Sequence, residues 1–336
     1  MTPLQSCKHR LSLHGLVVDL DCDVPALNVP IYSALGGFTV TEWPDGFMPI
    51  TGTVRPYDET VVLRHLSPNA VAIAEVPGME LYQDGERFWL IDDRWGLCEM
   101  NLLKGQWQSW ILPEPAIEPM FIAELAVMWP LAQLVRNKGL HLLPAAAVAR
   151  EGWGMLLISP FGIEPELTAL AQAGYKLIGQ RWTALREEDG RVAMLHMPGA
   201  VERLPAPALR IGGVESNATW VNLTEEFADS AQHHAFCDAV VMVEPGRRPL
   251  PRLRELHRAN AVAAVRQSWP IIELHPQRRH GQFPPKLAQI CRCYHAQLSR
   301  KGMDLLYLID QARYGRSGAP RKLQVTVSRV ARQVPA

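Results

Sequence analysis

The sequence predicts a mixed α/β (α+β) protein, and three observations along the chain lead to this prediction. Short apolar runs separated by turn residues predict a mostly β N-terminal domain over residues 1–115. Apolar strands alternating with a short helical segment predict an α/β core over residues 116–250. Helical patterns with many arginines predict a basic, helical C-terminal segment over residues 251–336. A chain of 336 residues can hold two modest domains, or one large domain with appendages.

The N-terminal domain is predicted from runs of strand length with turn residues between them. Residues 16–20, 71–74 and 87–91 are such runs, and they consist largely of apolar side chains. Turn chemistry separates them, as in the Asp84-Gly85 pair before the third run. We therefore expect a domain built mainly of short strands.

The core is predicted from a helix followed by an alternation of strands and a second helix. An apolar stretch over residues 117–137 predicts a helix, and Pro130 predicts a kink in it because proline lacks the backbone N–H that the helix needs. Strands are expected at residues 145–148, 154–158, 175–178 and 239–243, with a loop at 159–162 and a short helix at 166–173. This order of elements is typical of an α/β fold.

The C-terminal segment is predicted to be mainly helical, and its charge differs from that of the rest of the chain. Helices are expected at about residues 252–268, 284–300 and 303–313, followed by a β-branched tail near residues 325–330. From Gly246 onward there are 18 Lys or Arg residues but only four acidic residues. Because the whole chain carries 34 of each kind, the first 245 residues are acidic by the same margin.

Five arginines at the start of this segment form a candidate docking surface, which we call the basic docking surface. They are Arg247, Arg248, Arg252, Arg254 and Arg258. Clustered positive charge can attract an acidic protein, an acidic peptide or a nucleic acid. It can equally pack against the acidic body of the chain or remain a solvated surface. Nucleic acid is disfavoured because the basic residues are scattered among Leu, Ala and Pro and no nucleic-acid-binding motif accompanies them.

Two apolar runs in the core resemble the HPr kinase/phosphorylase family. They are residues 140–149 and 154–162, and the Gly174-Tyr175 turn before residues 176–178 fits the same pattern. The pattern is most similar to stand-alone relatives of that family that are encoded with peptide-modification systems. The resemblance implies a phosphate-loop α/β core of the kind shared with phosphoenolpyruvate carboxykinases.

The resemblance places a degenerate phosphate loop at the end of the second run. A working loop needs glycines, a Lys that neutralises the phosphate oxygens and a Ser or Thr hydroxyl for Mg²⁺. The corresponding positions here are Ser159, Pro160, Phe161, Gly162, Glu164, Pro165 and Glu166. Glu164, Pro165 and Glu166 stand where the second glycine, the lysine and the hydroxyl residue would be. If the loop is two residues shorter, Ile163 takes the lysine position instead.

A second element of the family's site is also altered. Relatives carry paired aspartates after the strand that follows the loop helix, where they bind metal and activate the acceptor hydroxyl. Gly179, Gln180 and Arg181 stand at those positions. Because both halves of the site lack these groups, we predict no catalytic residue, no metal site and no cofactor.

These observations predict a non-catalytic HPr-kinase-like protein, a pseudokinase acting as a binding or scaffold subunit for a peptide or a partner enzyme. The resemblance connects this role with peptide modification. The alternative is a divergent ATP-dependent serine kinase for a peptide or small protein, with Mg-ATP as cofactor. His141, Glu164 and Glu166 would then be the nearby candidates for recruited chemistry. A third interpretation is a nucleic-acid binder that uses the basic docking surface.

Cysteine usage and hydropathy predict a cytoplasmic protein without a membrane span. Six cysteines in a chain of this length do not form a disulfide framework. No apolar stretch approaches the roughly 20 residues that cross a bilayer. On a predicted helix Cys291 and His295 lie one turn apart and could share a metal. Their spacing matches no specific metal-binding motif, so a buried thiol beside a surface imidazole is favoured.

Overall fold

A computed structural model describes residues 7–42, 48–59, 67–76, 78–159, 163–203, 219–245, 249–268, 283–299 and 304–314. This part of the chain forms an eight-stranded, a six-stranded and a four-stranded sheet, together with one two-stranded pair. The mixed α/β class predicted from the sequence is confirmed. The predicted β-branched tail near residues 325–330 lies outside the described residues.

The eight-stranded sheet contains the strands at the beginning of the chain. They are β1 (Cys7–Leu13), β2 (Leu16–Cys22), β3 (Ile50–Pro56), β4 (Val71–Val76), β5 (Met79–Asp84), β6 (Arg87–Asp92), β7 (Gly96–Asn101) and β8 (Gln106–Ile111). Their spatial order is β1-β2-β3-β8-β7-β6-β5-β4. β3 is parallel to both of its neighbours, β2 and β8. The strands predicted at residues 16–20, 71–74 and 87–91 lie within β2, β4 and β6.

The remaining described strands form the other sheets. They are β9 (His141–Leu143), β10 (Ala146–Arg150), β11 (Trp153–Ile158), β12 (Lys176–Gly179), β13 (Thr183–Glu188), β14 (Arg191–Leu195), β15 (Val201–Arg203), β16 (Thr219–Val221), β17 (His234–Phe236), β18 (Ala239–Glu244), β19 (Arg252–Glu255) and β20 (Arg292–Gln297). The six-stranded sheet has the order β12-β10-β11-β18-β20-β19, and the four-stranded sheet has the order β17-β14-β13-β9. β15 pairs with β16 alone.

The described helices are short. They are α1 (Asn28–Leu35), α2 (Pro119–Ala123), α3 (Trp129–Arg136), α4 (Glu164–Gln172), α5 (Leu223–Glu226), α6 (Arg258–Ser268), α7 (Phe283–Ile290) and α8 (Leu305–Tyr314). A π-helical turn, Glu124–Met128, joins α2 to α3. None of the helices in the described part of the chain has the length and apolarity that crossing a membrane would require.

The inner strands of the six-stranded sheet are buried on both faces. Because side chains alternate along each strand, neighbouring residues contribute to two different cores. On one face, Val241 and Tyr294 pack with apolar residues of α4 and α8. On the other face, Val240 and Cys293 belong to a larger core that includes α6, α7 and the four-stranded sheet. That larger core also contains Leu20 of β2, so the eight-stranded sheet and the rest of the described chain share one apolar interior.

Pro130 explains the π turn in the central helix. Proline has no N–H, so residue 130 cannot donate to the carbonyl of Ala126 four residues earlier. The Trp129 N–H bonds instead to the carbonyl of Glu124, five residues back. The Ala126 carbonyl accepts two side-chain hydrogen bonds from β8, from Trp107 Nε1 at 3.1 Å and from Ser109 Oγ at 2.7 Å. The sequence predicts a kink at Pro130; the described helix has a π turn that ends two residues before this proline.

The absence of a side chain at Gly52 leaves space for the Trp107 indole to reach the central helix. Gly52 in β3 lies opposite Trp107 in β8. A Cβ atom at residue 52 would lie 2.1 Å from Cζ2 of the indole, far inside van der Waals contact. The indole therefore crosses β3 over a position that only glycine leaves open.

The turn between β1 and β2 binds the four-stranded sheet region through histidines. His14 has φ of 49° at this turn, and its Nε2 donates to the His196 carbonyl at 2.8 Å. The Arg186 guanidinium donates to the His14 carbonyl at 3.3 Å. The His196 ring is in turn bonded through Nδ1 to the Ile178 carbonyl at 2.9 Å. Burial lowers the pKa of both imidazoles, which favours their neutral forms in this contact.

The predicted helices at 252–268 and 284–300 are partly wrong. Residues 252–255 form β19, and residues 292–297 form β20 between β18 and β19. β20 pairs in parallel with β18, about 50 residues earlier, and this pairing buries Cys293 and Tyr294 on opposite faces. A helix would have left β18 without this neighbour. Helices do form at α6, α7 and α8.

We predict that Gly52→Ala destabilises the protein by about 1–3 kcal/mol, because an overpacked core must displace a side chain. Here the displaced side chain is Trp107, which also loses its bond to Ala126. Chemical denaturation followed by tryptophan fluorescence measures the free energy of unfolding. Gly199→Ala is the matched control, since the nearest atom to a Cβ there is 3.9 Å away. Equal stabilities of the two variants would contradict this account of Gly52.

Candidate functional site

Helix α4 follows β11 after residues 160–162, at the position that the sequence predicts for a phosphate loop. Ser159 follows β11 directly. Pro160, Phe161 and Gly162 lie outside the described residues. The chain is described again from Ile163, whose side chain is buried with Leu167 and Leu170. A strand and the N-terminus of a helix thus stand on either side of the predicted loop positions.

The first turn of α4 contains its own negative charge. Glu164 and Glu166 are both in this turn, and both side chains are buried. Thr168 Oγ1 donates to Glu164 Oε1 at 3.0 Å, which holds this carboxylate against its own helix. The N-terminus of a helix is the positive end of its dipole and favours an anion. In α4, carboxylates of the chain stand at that end.

Pro165 also reduces what this helix start can offer to a ligand. It lies in the first turn of α4 and has no backbone N–H. A phosphate at a helix N-terminus is bound mainly by such N–H groups. The residues at the predicted loop positions therefore combine added negative charge with a missing donor.

Gln180 occupies one of the positions where an acidic residue is expected from the resemblance. Its side chain is buried and both ends of the amide are bonded. Nε2 donates to Asn222 Oδ1 at 2.6 Å, and Oε1 accepts from the Leu223 N–H at 2.7 Å. Asn222 is the N-cap of α5 and accepts from the Thr224 N–H. Gln180 thus holds the start of α5.

Arg181, at the next position, forms an ion pair with Glu124 of the π turn. The guanidinium meets the carboxylate through two bonds, from Nε to Oε1 and from Nη2 to Oε2, the latter at 2.7 Å. Trp182 Nε1 donates to the same carboxylate at 3.2 Å. Bidentate pairs of this kind are among the stronger polar contacts in proteins. Both charged side chains are about three-quarters or more buried.

Two aromatic rings flank the Arg181 guanidinium. Its central carbon lies 4.8 Å from the Trp220 ring centre and 5.3 Å from that of Phe121. The two rings meet edge to face, with centres 5.9 Å apart. Cation–π contacts and the Glu124 carboxylate together neutralise and fix this arginine. A positive, already paired group therefore stands at a position where the resemblance predicts a carboxylate.

A small, open cleft lies beside this ion pair. Its walls come from α1, from the π turn, from Arg181 and Trp182, and from residues 198–200. Elsewhere on α1, Val29 and Tyr32 expose most of their surface to solvent, and Phe121 of α2 is also exposed. The cleft is mainly apolar, with Glu124 and Arg181 as its charged groups.

His141 does not lie in this cleft. It is buried in β9, and its ring stacks on Phe283 of α7 with centres 3.8 Å apart. The apolar run that begins at residue 140 divides at Pro144, because β9 belongs to the four-stranded sheet and β10 to the six-stranded sheet. The packing of His141 serves the contact between α7 and β9.

The expected helical neighbours Cys291 and His295 are not on one helix. Cys291 follows α7 and donates to the Cys237 carbonyl at 3.1 Å, whereas His295 lies in β20 and pairs with Glu244 at 2.9 Å. Across the described ranges, no group of three or more His, Cys, Asp or Glu side chains could hold a metal ion. Burial raises the pKa of the neighbouring Cys293 thiol to about 12, which favours the unreactive thiol form.

The basic docking surface is described in part. Arg252 and Arg254 are exposed on β19, and Arg258 is exposed at the start of α6. Arg247 and Arg248 lie outside the described residues. The structure therefore places three of the five arginines on the surface, next to one edge of the six-stranded sheet.

The Glu124–Arg181 ion pair and its aromatic neighbours were missed by sequence reasoning. Glu124 is visible in the sequence as a single acid inside an apolar helical stretch, which is a signal for a buried partner. Its partner lies 57 residues away, so no local pattern identifies it. At position 181 the sequence indicates only that an acidic residue is missing.

Comparison with known proteins gives similarity to solved structures but no sequence family. No family model matches the chain, and no curated protein matches it. Among solved structures, the chain is similar to the Hpr(Ser) kinase/phosphatase from Coxiella burnetii, with a TM-score of 0.31 and 14% identity. The match covers 53% of this chain and 99% of that one. It is a low structural similarity, and it does not decide what this chain does.

We predict that Glu124→Gln destabilises the protein by about 1–3 kcal/mol, because it removes the charge from a largely buried, bidentate pair. Chemical denaturation measures the change in the free energy of unfolding. Glu255→Gln makes the same chemical change in an exposed pair with Arg292, and we expect it to cost less than about 0.5 kcal/mol. Comparable losses in the two variants would show that the Glu124–Arg181 pair has no special structural weight.

Proposed function

We propose that this protein is a non-catalytic binding or scaffold subunit for a peptide or a partner protein, acting in peptide modification. The observation that carries the proposal is the first turn of α4, where Glu164 and Glu166 are buried at the end of the helix that a phosphate would need. The resemblance of the core to HPr kinases supplies the setting. The loss of the kinase's chemical groups supplies the difference in role.

Repulsion between like charges opposes nucleotide binding at the α4 N-terminus. Two unit charges of the same sign repel by about 4 kcal/mol at 4 Å when the effective dielectric constant is near 20. A triphosphate beside the α4 N-terminus would meet two carboxylates, and Pro165 offers no N–H in return. This repulsion exceeds what a helix dipole contributes to anion binding, about 0.3–1 kcal/mol and up to about 2 kcal/mol in favourable geometries.

The second half of the site supports the same proposal. A phosphoryl-transfer site needs carboxylates for Mg²⁺ and a base or positioning group for the acceptor hydroxyl. Gln180 is bonded to the start of α5, and Arg181 is paired with Glu124. The Gln180 amide oxygen could ligate Mg²⁺ only by giving up its bond to the Leu223 N–H, and the Arg181 guanidinium has no oxygen at all.

Binding of a partner is supported by the exposed features that remain. Arg252, Arg254 and Arg258 place positive charge on the surface of a chain whose first 245 residues are acidic. Tyr32 of α1 and Phe121 of α2 also expose apolar surface. Such surface on a folded protein is typical of a contact with another molecule.

The proposal is tested by calorimetric titration of the purified protein with Mg-ATP. We expect no binding at ATP concentrations up to about 1 mM, because the charges described above oppose it. Micromolar binding by the unmodified protein would contradict the proposal.

The double variant Glu164→Gln/Glu166→Gln then separates the alternatives. If the unmodified protein binds Mg-ATP and this variant does not, the two carboxylates act as recruited metal ligands and the divergent serine kinase becomes the favoured function. Glu114→Gln/Glu118→Gln is the matched control, since both of these glutamates are exposed. It changes the net charge by the same amount without touching α4.

A further inference from the structure

Strand β19 is the outer strand of the six-stranded sheet within the described part of the chain. It is four residues long and pairs with β20 in an antiparallel ladder. Arg252, Arg254 and Glu255 are exposed, and Leu253 is half-buried. Edge strands of this kind present backbone donors and acceptors to any chain that can pair with them.

The ladder with β20 shows which backbone groups face outward. The Leu256 N–H donates to the Cys293 carbonyl at 2.8 Å, so these two residues form a hydrogen-bonded pair. Hydrogen-bonded pairs alternate along an antiparallel ladder. Arg252 and Arg254 therefore bond to β20, whereas the N–H and C=O groups of Leu253 and Glu255 point away from it.

The side chains of this edge divide into a basic face and a mixed face. Arg252 and Arg254 are two residues apart and lie on the same face of the sheet. Neither forms an ion pair with another described residue, whereas Glu255, on the opposite face, is bonded to Arg292 at 3.2 Å. The two unpaired arginines are thus on one face of the sheet. The outward backbone groups of Leu253 and Glu255 lie along the edge between the two faces.

We propose that β19 binds an extended acidic segment of a partner polypeptide as an additional strand. This inference rests on the proposed function and specifies its partner. Two outward backbone positions, Leu253 and Glu255, set the pairing of the added strand. Acidic side chains at alternate positions of that segment lie against Arg252 and Arg254, and opposite charges across neighbouring strands stabilise such pairing. The recognised pattern is an acid, an apolar residue and a second acid in extended conformation.

The probe that tests this inference is a fluorescein-labelled eight-residue peptide of alternating Glu and Val. Its binding to the full chain is followed by fluorescence anisotropy. We expect Arg252→Glu/Arg254→Glu to weaken binding by about tenfold or more, because attraction at two cross-strand positions becomes repulsion. Lys8→Glu/Lys104→Glu is the matched control, since these exposed lysines lie in β1 and in the turn between β7 and β8. We expect it to change the affinity by less than about twofold.

Two further comparisons separate strand addition from simple charge attraction. A peptide of the same composition with four Glu followed by four Val keeps the charge but loses the alternation, and we expect weaker binding. Leu253→Pro removes one outward N–H without removing a bond to β20, and we expect it to weaken the alternating peptide as well. Circular dichroism of this variant shows whether its fold is retained.

Several outcomes would overturn the inference. They are no binding of the alternating peptide, equal binding after the two arginines are reversed, and equal binding of the blocked and alternating peptides. Stronger binding of an oligothymidylate than of the peptide, with a steep loss of affinity as salt increases, would point to nucleic acid instead. None of these outcomes depends on the Mg-ATP titration, so failure here leaves the non-catalytic role to be decided by that experiment.

Discussion

The missing N–H of Pro130 is the constraint on which the rest of this structure depends. It leaves the Ala126 carbonyl without its helical donor, and a buried carbonyl without a donor costs about 1–3 kcal/mol. Trp107 and Ser109 of β8 supply the replacement bonds. The eight-stranded sheet is thereby bonded to the central helix at its irregular turn. These two hydrogen bonds add a polar connection to the apolar interior that the sheet and the helix share.

The same turn determines the chemistry of the candidate site. Glu124 begins the π turn and pairs with Arg181, which lies after β12 of the six-stranded sheet. Trp182 donates to the same carboxylate. Polar contacts that would serve a substrate in an enzyme are thus used between parts of the chain. At α4 the same holds for Glu164, which is bonded to Thr168.

The sequence predicts those elements whose signal is local. The strands β2, β6, β10 and β11 can be predicted from apolar runs and turns. Pro130 indicates that the central helix is not regular. β20 could not be predicted, because its reason to be a strand is parallel pairing with β18. Of the site, Gln180 and Arg181 could be predicted as substitutions, but their bonds to Asn222 and Glu124 join residues 42 and 57 positions apart. Long-range pairs of this kind have no local signature.

A double-mutant cycle on the free energy of unfolding tests the role of Pro130 most directly. It combines Ser109→Ala, which removes one donor to the Ala126 carbonyl, with Pro130→Ala, which restores the helical donor. We expect Ser109→Ala to cost about 1–2 kcal/mol in the unmodified protein and about half of that or less beside Pro130→Ala. The coupling arises because the restored N–H can take the same carbonyl. Equal costs in the two backgrounds, within about 0.3 kcal/mol, would contradict the account.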